Sequence, residues 1–364
     1  MGSGEGSILR PQHPSARHLS ALVDEFGLET RGSLDDVEVT GITLSTDNLQ
    51  PGDLYVGVPG ANRHGAMFAA QAKEGGAVAL LTDGAGADLA AASGLPMIIV
   101  ESPREALGAI SAWVYRTAQA APLLFGITGT NGKTSVSYLL HGMLAQLGLV
   151  AGLSTTAERK IGDLTVASSL TTPEATEVHG LLARMRESEV RAVVLEVSAQ
   201  ALTRNRVDGL VFDVVGFLNL SHDHLDDYAD METYFAAKLP LFEPDRARRG
   251  VVSLDTEWGQ RVVDASRIPI TTVSSTPGVD AAWTVTILQE RAEYTEFELT
   301  PPEGQSITTR VPVIGRHMAA NAGLAIAMLV EAGFELEAIA HALDQDGGID
   351  AFIPGRIERV SGPS

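Results

Sequence analysis

The chain has 364 residues, 45% of them hydrophobic, a formal charge of −20 and no cysteine. That length exceeds one ordinary core and predicts two domains or three, and the apolar content excludes wholesale disorder. The acidic excess argues against a nucleic-acid binder, the lack of cysteine excludes disulfides and thiolate metal sites, and no apolar run approaches the roughly 20 residues of a membrane span.

In chain order, residues 1–15 are polar, lack the apolar core of a signal peptide and are expected to be a flexible N-terminus. Helical spacing then covers 16–28 through Leu19, Leu22, Val23 and Phe26. Strand-like runs follow at Val37–Leu44, Leu54–Val58, Ala77–Leu81 and Met97–Val100. Helices are predicted at Met67–Glu74 and Pro103–Arg116, the latter with Ser102 placed to cap it. The alternation predicts a small α/β domain over 16–118. The turn Gly60-Ala-Asn-Arg-His-Gly65 leads into a helix and carries a weak signal for gripping a phosphate.

A second, longer α/β series fills 119–352. Strands read at 123–127, Val150–Ser154, Ala192–Val197, Val211–Leu220 and Gly250–Leu254, with near-continuous apolar runs that suit parallel strands covered on both faces. Helices read at 134–147, Ala175–Glu187, Met231–Phe242, around Glu257–Ala265, and at 316–331 and 335–344. Residues 283–313 alternate polar and apolar and predict antiparallel strands at the sheet edge. Residues 353–364, punctuated by proline and glycine, read as a linker stub.

The most informative stretch is Gly126-Ile127-Thr128-Gly129-Thr130-Asn131-Gly132-Lys133-Thr134. A buried strand, a glycine-rich turn and a helix opening on Lys-Thr are the layout of a phosphate-binding loop. The glycines permit positive φ, and the helix N-terminus offers amides to an anion. Lys133 would reach the β/γ-phosphates and the Thr134 hydroxyl would hold Mg²⁺. The strict pattern needs glycine at 127, where the chain has Ile127. Strand–loop–helix context carries the assignment of a nucleotide site.

Ligands of an open parallel sheet gather beyond the carboxyl ends of its strands. Glu196 ends one strand there and suits a hard metal ion beside phosphates. Asn219-Leu-Ser-His-Asp-His-Leu-Asp226 ends another and could ligate metal or position phosphate, although capping by Ser221 or Asp223 explains part of it equally well; His222 reads as a bystander. Lys238, alone on an apolar helix, reads by itself as a snorkelling surface residue. Thr171-Thr172-Pro173-Glu174 is either a helix start with Pro at its first position or a set of hydroxyls near an anion, and the residues leave both open.

Taken together these motifs resemble the Mur ligase superfamily, most closely the MurE type, over nearly the whole chain. Ile42-Thr-Leu-Ser-Thr-Asp-Asn-Leu-Gln-Pro-Gly-Asp-Leu-Tyr-Val-Gly-Val-Pro-Gly60 is similar to the family's UDP-binding segment. Gly129–Thr134, Thr171-Thr-Pro-Glu, Glu196-Val-Ser, Arg206-Val-Asp-Gly, His224-Leu-Asp and Tyr234–Phe242 follow in the family's order. The resemblance implies a UDP-substrate-binding domain over 16–118, a central P-loop ATPase domain over 119–352, and an absent C-terminal ligase domain that would choose the amino acid.

By the same resemblance, Gly129, Thr130, Asn131, Gly132, Lys133 and Thr134 bind ATP, joined by Asn321 on the adenine side and by Arg356. Thr134, Glu196, His224 and, if carbamylated, Lys238 would serve Mg²⁺; Lys133, Glu196, His224 and Lys238 would be catalytic. Thr46, Thr171, Thr172, Ser198, Arg204 and Arg206 would contact the UDP-N-acetylmuramoyl-dipeptide substrate. The implied chemistry is ATP-dependent phosphorylation of the D-glutamyl carboxylate, then attack on the acyl phosphate by a free amino acid. The expected protein is a cytoplasmic monomer. The departures are Ser45-Thr46-Asp47 where the family has Asp-Ser-Arg, Ser198-Ala-Gln-Ala201 for Ser-Ser-His-Ala, Arg204 for glutamine and Met318 for asparagine. A MurF-type ligase, folylpolyglutamate synthase, a non-catalytic nucleotide-binding protein and a small-molecule kinase are the alternatives.

Overall fold

The computed structural model describes residues 9–118, 122–168, 170–222 and 228–354. The chain gathers into two compact units that are not contiguous in sequence. One comprises Met1–Ala121, Pro173–Ser188 and Thr203–Leu210; the other comprises Pro122–Thr172, Glu189–Leu202 and Val211–Ser364. The single cut drawn between 118 and 119 from sequence therefore leaves two later segments on the far side of it.

The first unit is built on strands β1 (Arg17–His18), β2 (Glu29–Arg31), β3 (Glu38–Val39), β4 (Gly41–Thr43), β5 (Asp53–Gly57), β6 (Ala79–Thr82) and β7 (Met97–Ile99). Five of them form a sheet in the order β2-β7-β6-β5-β4, parallel except for β2. Period-two alternation sends neighbouring side chains to opposite layers. Leu54, Val56, Leu81 and Ile98 join Leu19 and Leu22 of α1 (Leu19–Phe26) in one buried cluster, while Tyr55, Leu80 and Met97 join another. That second cluster includes Ala69 and Ala72 of α2 (Ala69–Glu74) and Ala87 of α3 (Gly84–Leu89).

Several local departures from the sequence expectation have plain causes. The predicted helix over 16–28 begins only at Leu19, because Arg17 and His18 pair with β3. It stops at Gly27, whose left-handed backbone (φ 62°) returns its N–H to Val23. The predicted strand Val37–Leu44 divides between two sheets at Thr40. Helix α4 (Pro103–Tyr115) starts after Ser102 as expected, but the serine side chain makes no capping bond. Residues 9–15, expected to be flexible, are held by the partly buried Arg10–Asp53 ion pair and by the Gln12 and His13 amides donating to Glu187.

The second unit carries an eleven-stranded sheet. Its strands are β8 (Leu123–Thr128), β9 (Ala151–Ser154), β10 (Glu158–Ile161), β11 (Leu164–Ala167), β12 (Ala192–Glu196), β13 (Phe212–Phe217), β14 (Ala247–Ser253), β15 (Ile270–Ser274), β16 (Trp283–Glu290), β17 (Thr295–Thr300) and β18 (Ile307–Val311). The order is β11-β10-β9-β12-β8-β13-β14-β15-β16-β17-β18, parallel from β9 to β16 and antiparallel at both ends. The antiparallel edge at 283–313 matches the sequence expectation; the opposite hairpin β10–β11 and strand β15 do not appear in it. Helices α5 (Lys133–Gln146), α10 (Arg316–Glu331) and α11 (Leu336–Gln345) share one core with Phe125, Ile127, Val194, Val214 and Val251.

Between the strands lie α6 (Ala175–Glu187), α7 (Ala199–Thr203), α8 (Met231–Ala236) and α9 (Glu257–Ala265). Helix α6 belongs to the first unit, where Ala175 and Ala183 enter the core with Tyr115. Its Arg186 donates to the carbonyls of Tyr115 and Arg116. The single helix predicted over Met231–Phe242 is broken: α8 ends at Ala236 and a 3₁₀ turn runs from Leu239 to Phe242. Pro240 lacks the amide that an uninterrupted helix would need there, so Lys238 falls at the break.

Candidate active site

Strand β8 ends at Thr128 and α5 begins at Lys133; the four residues between them form the phosphate loop. Two glycines are required here. Gly129 (φ 149°) lies against the chain after β13, where a Cβ would come within 3.0 Å of Leu218 Cβ. Gly132 (φ 90°) would meet Leu218 and the Asn321 carboxamide at 3.2–3.3 Å, which places Asn321 of α10 beside the loop.

Lys133 folds back over its own loop and donates to the carbonyls of Gly129 and Thr130, both at 2.9 Å. Thr134 sits half-buried in the first turn of α5, the positive end of a 14-residue helix. Asn219 receives the Thr130 amide on its backbone carbonyl and the Asn131 amide on its side-chain oxygen, both at 3.0 Å. Its own amide donates to the Asn131 carbonyl. Ser221, for which a capping role is one of the open readings, meets Thr130 and Asn131, and Asp230 caps α8. His222 is exposed.

Glu196, the last residue of β12, is 1% exposed, and its carboxylate accepts from the Thr156 hydroxyl at 2.9 Å and the Thr156 amide at 3.3 Å. The Glu196 carbonyl accepts from Thr172, whose hydroxyl also receives the Ser198 amide. Thr171 meets Thr156 hydroxyl to hydroxyl at 3.1 Å. Thr156 therefore links the carboxylate to Thr171. Pro173 is not the first helical residue: Glu174 occupies the N-cap of α6 and Pro173 precedes it.

Lys238 is also 1% exposed, so it is not a snorkelling surface residue. Its Nζ lies 4.5 Å over the ring of Tyr234 and 3.4 Å from the Gly129 carbonyl. The Tyr234 hydroxyl reaches Thr130 at 3.4 Å, and its ring packs 5.0 Å from Tyr228.

The second unit thus brings Gly129, Thr130, Asn131, Gly132, Lys133, Asn321 and Lys238 around one loop, with Glu196, Thr171, Thr172 and Ser198 joined through Thr156 and Thr172 at the end of β12. His224 and Arg356 lie outside the described residues. Among the described residues no group of three histidines or acids could alone hold a metal ion. The donor set still suits Mg²⁺, which is held by one or two carboxylates together with phosphate oxygens and water. Glu196, buried and met by a hydroxyl and an amide, is a carboxylate of the kind such a site needs.

The remaining candidates belong to the first unit. Arg206 is buried and paired with Glu174 at 2.9 Å; Glu174 also meets Arg104 at 3.2 Å. Arg204 is exposed and Thr46 half-buried in the loop after β4. In the Gly60–Gly65 turn, His64 is committed within the fold: Nδ1 accepts from Ala66, and Nε2 therefore carries the proton toward Asp83 at 3.1 Å. Burial pushes the Asp83 carboxyl up, but the Gly86 amide and His64 outweigh it and hold the group below its ordinary range. A carboxylate in that position does not favour a phosphate.

Neither Thr156 nor the part played by Tyr234 left a signal in the sequence. Thr156 lies just past the carboxyl end of β9, next to β12 in the sheet, so strand adjacency would have found it.

Residues 127–329 match the Mur ligase middle domain, and residues 38–115 match the Mur ligase family catalytic domain. The chain is 63% identical to the UDP-N-acetylmuramyl-tripeptide synthetase of Leifsonia xyli, over 98% of this chain and 69% of that protein. It is 44% identical to the UDP-N-acetylmuramoyl-L-alanyl-D-glutamate–2,6-diaminopimelate ligase of Streptomyces avermitilis, over 96% of this chain and 68% of that one. A solved structure of a ligase of that second name superposes with a TM-score of 0.75 at 21% identity, over 88% of this chain and 65% of that one. MurF from Acinetobacter baumannii gives 0.67 at 19%, over 91% and 68%. Both structural matches bear on the fold.

Proposed function

Because the chain belongs to the Mur ligase family, we propose that it carries the nucleotide and UDP-substrate machinery of an ATP-dependent amide ligase of peptidoglycan precursor synthesis. The reaction adds an amino acid to UDP-MurNAc-L-Ala-D-Glu. The observation that carries this is the phosphate loop lying against Lys238 and Asn321 in one unit. The names of the relatives favour the tripeptide-forming reaction over the MurF type.

In this mechanism the amides at the start of α5 and the Lys133 ammonium hold the triphosphate. Lys133 exchanges its two loop carbonyls for phosphate oxygens. Thr134 and Glu196 would hold Mg²⁺, which neutralises charge on the transferring phosphoryl group. Thr156 keeps the Glu196 carboxylate in one orientation. Lys238 lies beside the loop, away from water. Its carbamylation, implied by the family resemblance, would replace that cation with an anionic oxygen ligand. Thr171 and Ser198 supply hydroxyls to the muramoyl-peptide, and the Thr172 hydroxyl, committed to the Glu196 carbonyl and the Ser198 amide, braces them. An acyl phosphate supplies the leaving group that a bare carboxylate lacks; the amine then displaces phosphate to form the amide.

Thermal unfolding of this chain with Mg-ATP, and separately with UDP-MurNAc-L-Ala-D-Glu, tests the proposal. A specific ligand at a hundredfold excess over Kd should stabilise by about 2.7 kcal/mol. Stabilisation by both ligands is expected. A response to Mg-ATP alone would remove the cell-wall substrate, and no response to either would overturn the nucleotide site.

A further inference from the structure

After β13 the chain crosses the phosphate loop and touches it at two successive peptides. The Thr130 N–H donates to the Asn219 carbonyl, and the Asn131 N–H to Asn219 Oδ1, each at 3.0 Å. Asn219 Nδ2 returns a bond to the Asn131 carbonyl at 3.0 Å, so one carboxamide satisfies the donor and the acceptor of the same residue. That two-point contact fixes the amide orientation, because a flip would set donor against donor and acceptor against acceptor. Aspartate has no donor for the Asn131 carbonyl, glutamine is one methylene too long, and alanine offers neither group. Two further bonds flank the contact: the Ser221 N–H donates to Thr130 Oγ1 at 3.1 Å, and Asn131 Nδ2 donates to Ser221 Oγ at 3.2 Å.

We infer that Asn219 is a positioning residue of the phosphate loop, withdrawing the amides of Thr130 and Asn131 from the anion-binding set and assigning phosphate recognition to the start of α5. The inference rests on the nucleotide function proposed above. An N–H donating along a good 3.0 Å geometry has no second strong bond to give. The loop is consequently shaped during folding, and nucleotide binding is spared the entropy of ordering it.

Two measurements test it, one without nucleotide. In the ligand-free chain the Asn131 amide should be protected from hydrogen exchange, and Asn219→Ala should speed that exchange at least about tenfold. On titration with Mg-ATP, wild-type amide shifts should be large at Gly132, Lys133 and Thr134 and small at Asn131. Asn219→Ala should weaken Mg-ATP binding about tenfold. Asn219→Asp should weaken it further, because a carboxylate then faces the Asn131 carbonyl and adds negative charge near the phosphates. An exchange-labile Asn131 amide in wild type, an Mg-ATP shift there as large as at Gly132, or Asn219→Ala binding within twofold of wild type would each overturn the inference. Asn131 protection without any wild-type Mg-ATP binding would overturn the nucleotide function and leave Asn219 a purely structural brace.

Discussion

Glu196 in the second unit and His179 in the first are both buried polar side chains, yet they are completed differently. His179 of α6 has both ring nitrogens met: Nε2 donates to the Asp208 carbonyl at 2.9 Å, and Nδ1 accepts from Thr117 at 2.6 Å. Burial lowers its pKa to about 4, against the opposing pull of Asp208. Glu196, equally buried, is met among the described residues by one hydroxyl and one amide, and by no cation. Both its oxygens keep lone pairs for a further ligand. A polar group whose bonds close within the fold serves stability, whereas one left with capacity beside a phosphate loop is, on the function proposed above, available to chemistry.

The sharpest way to break that contrast is at the loop. Lys133→Ala and Glu196→Gln should each weaken Mg-ATP binding by about 100-fold, the scale of losing one charge-assisted contact to a phosphate or its metal ion. Circular dichroism melts should stay near wild type. A variant that melts far lower and loses Mg-ATP affinity only in proportion would make the site merely structural.

His179 should show the reverse. The unfolded chain binds its proton near pH 6.5 and the folded chain only near pH 4. Between those values the unfolded state holds more protons, so stability falls as pH drops through that window and is unaffected by this group above it. The loss should reach about 3 kcal/mol. Urea denaturation at pH 7 and pH 4.5 should show the slope in wild type and much less of it in His179→Gln, with Mg-ATP affinity at pH 7 the same in both.

The smallest effect sharpens the comparison inside the second unit. Gln146, at the far end of α5, bonds Asp346, the Gly348 carbonyl and the Asp350 amide. Gln146→Ala should cost about 1 kcal/mol in chemical denaturation, as a partly exposed set of neutral bonds does. Mg-ATP affinity should be unchanged; a drop there would extend the functional region along the whole helix.

These contrasts were unequally legible in the sequence. Gly129, Gly132 and the Lys133-Thr134 pair are local signals: contiguous residues whose backbone needs are written in their own types. Glu196 was readable because a carboxylate ending an apolar run is unusual. Thr156 and Asn219 depend on which strands are neighbours, and neighbourhood in a sheet of order β9-β12-β8-β13 is a long-range fact. Lys238 was misread without the family resemblance because Pro240, two residues on, was not given its weight as a helix breaker. The His179 cluster was invisible, since a histidine in an amphipathic helix carries no mark of its partners at positions 117 and 208.

The first unit takes α6 and residues 203–210 from beyond the start of the second sheet. A growing polypeptide therefore cannot finish its N-terminal half in the order of synthesis. When residue 121 has been made, Tyr115 and its neighbours still await Ala175 and Ala183, and Thr117 still awaits His179. Strands β8 to β12 must emerge before that debt is settled, so the two halves mature as interleaved partners and a translational stall in between would expose unfinished apolar surface to chaperones and proteases.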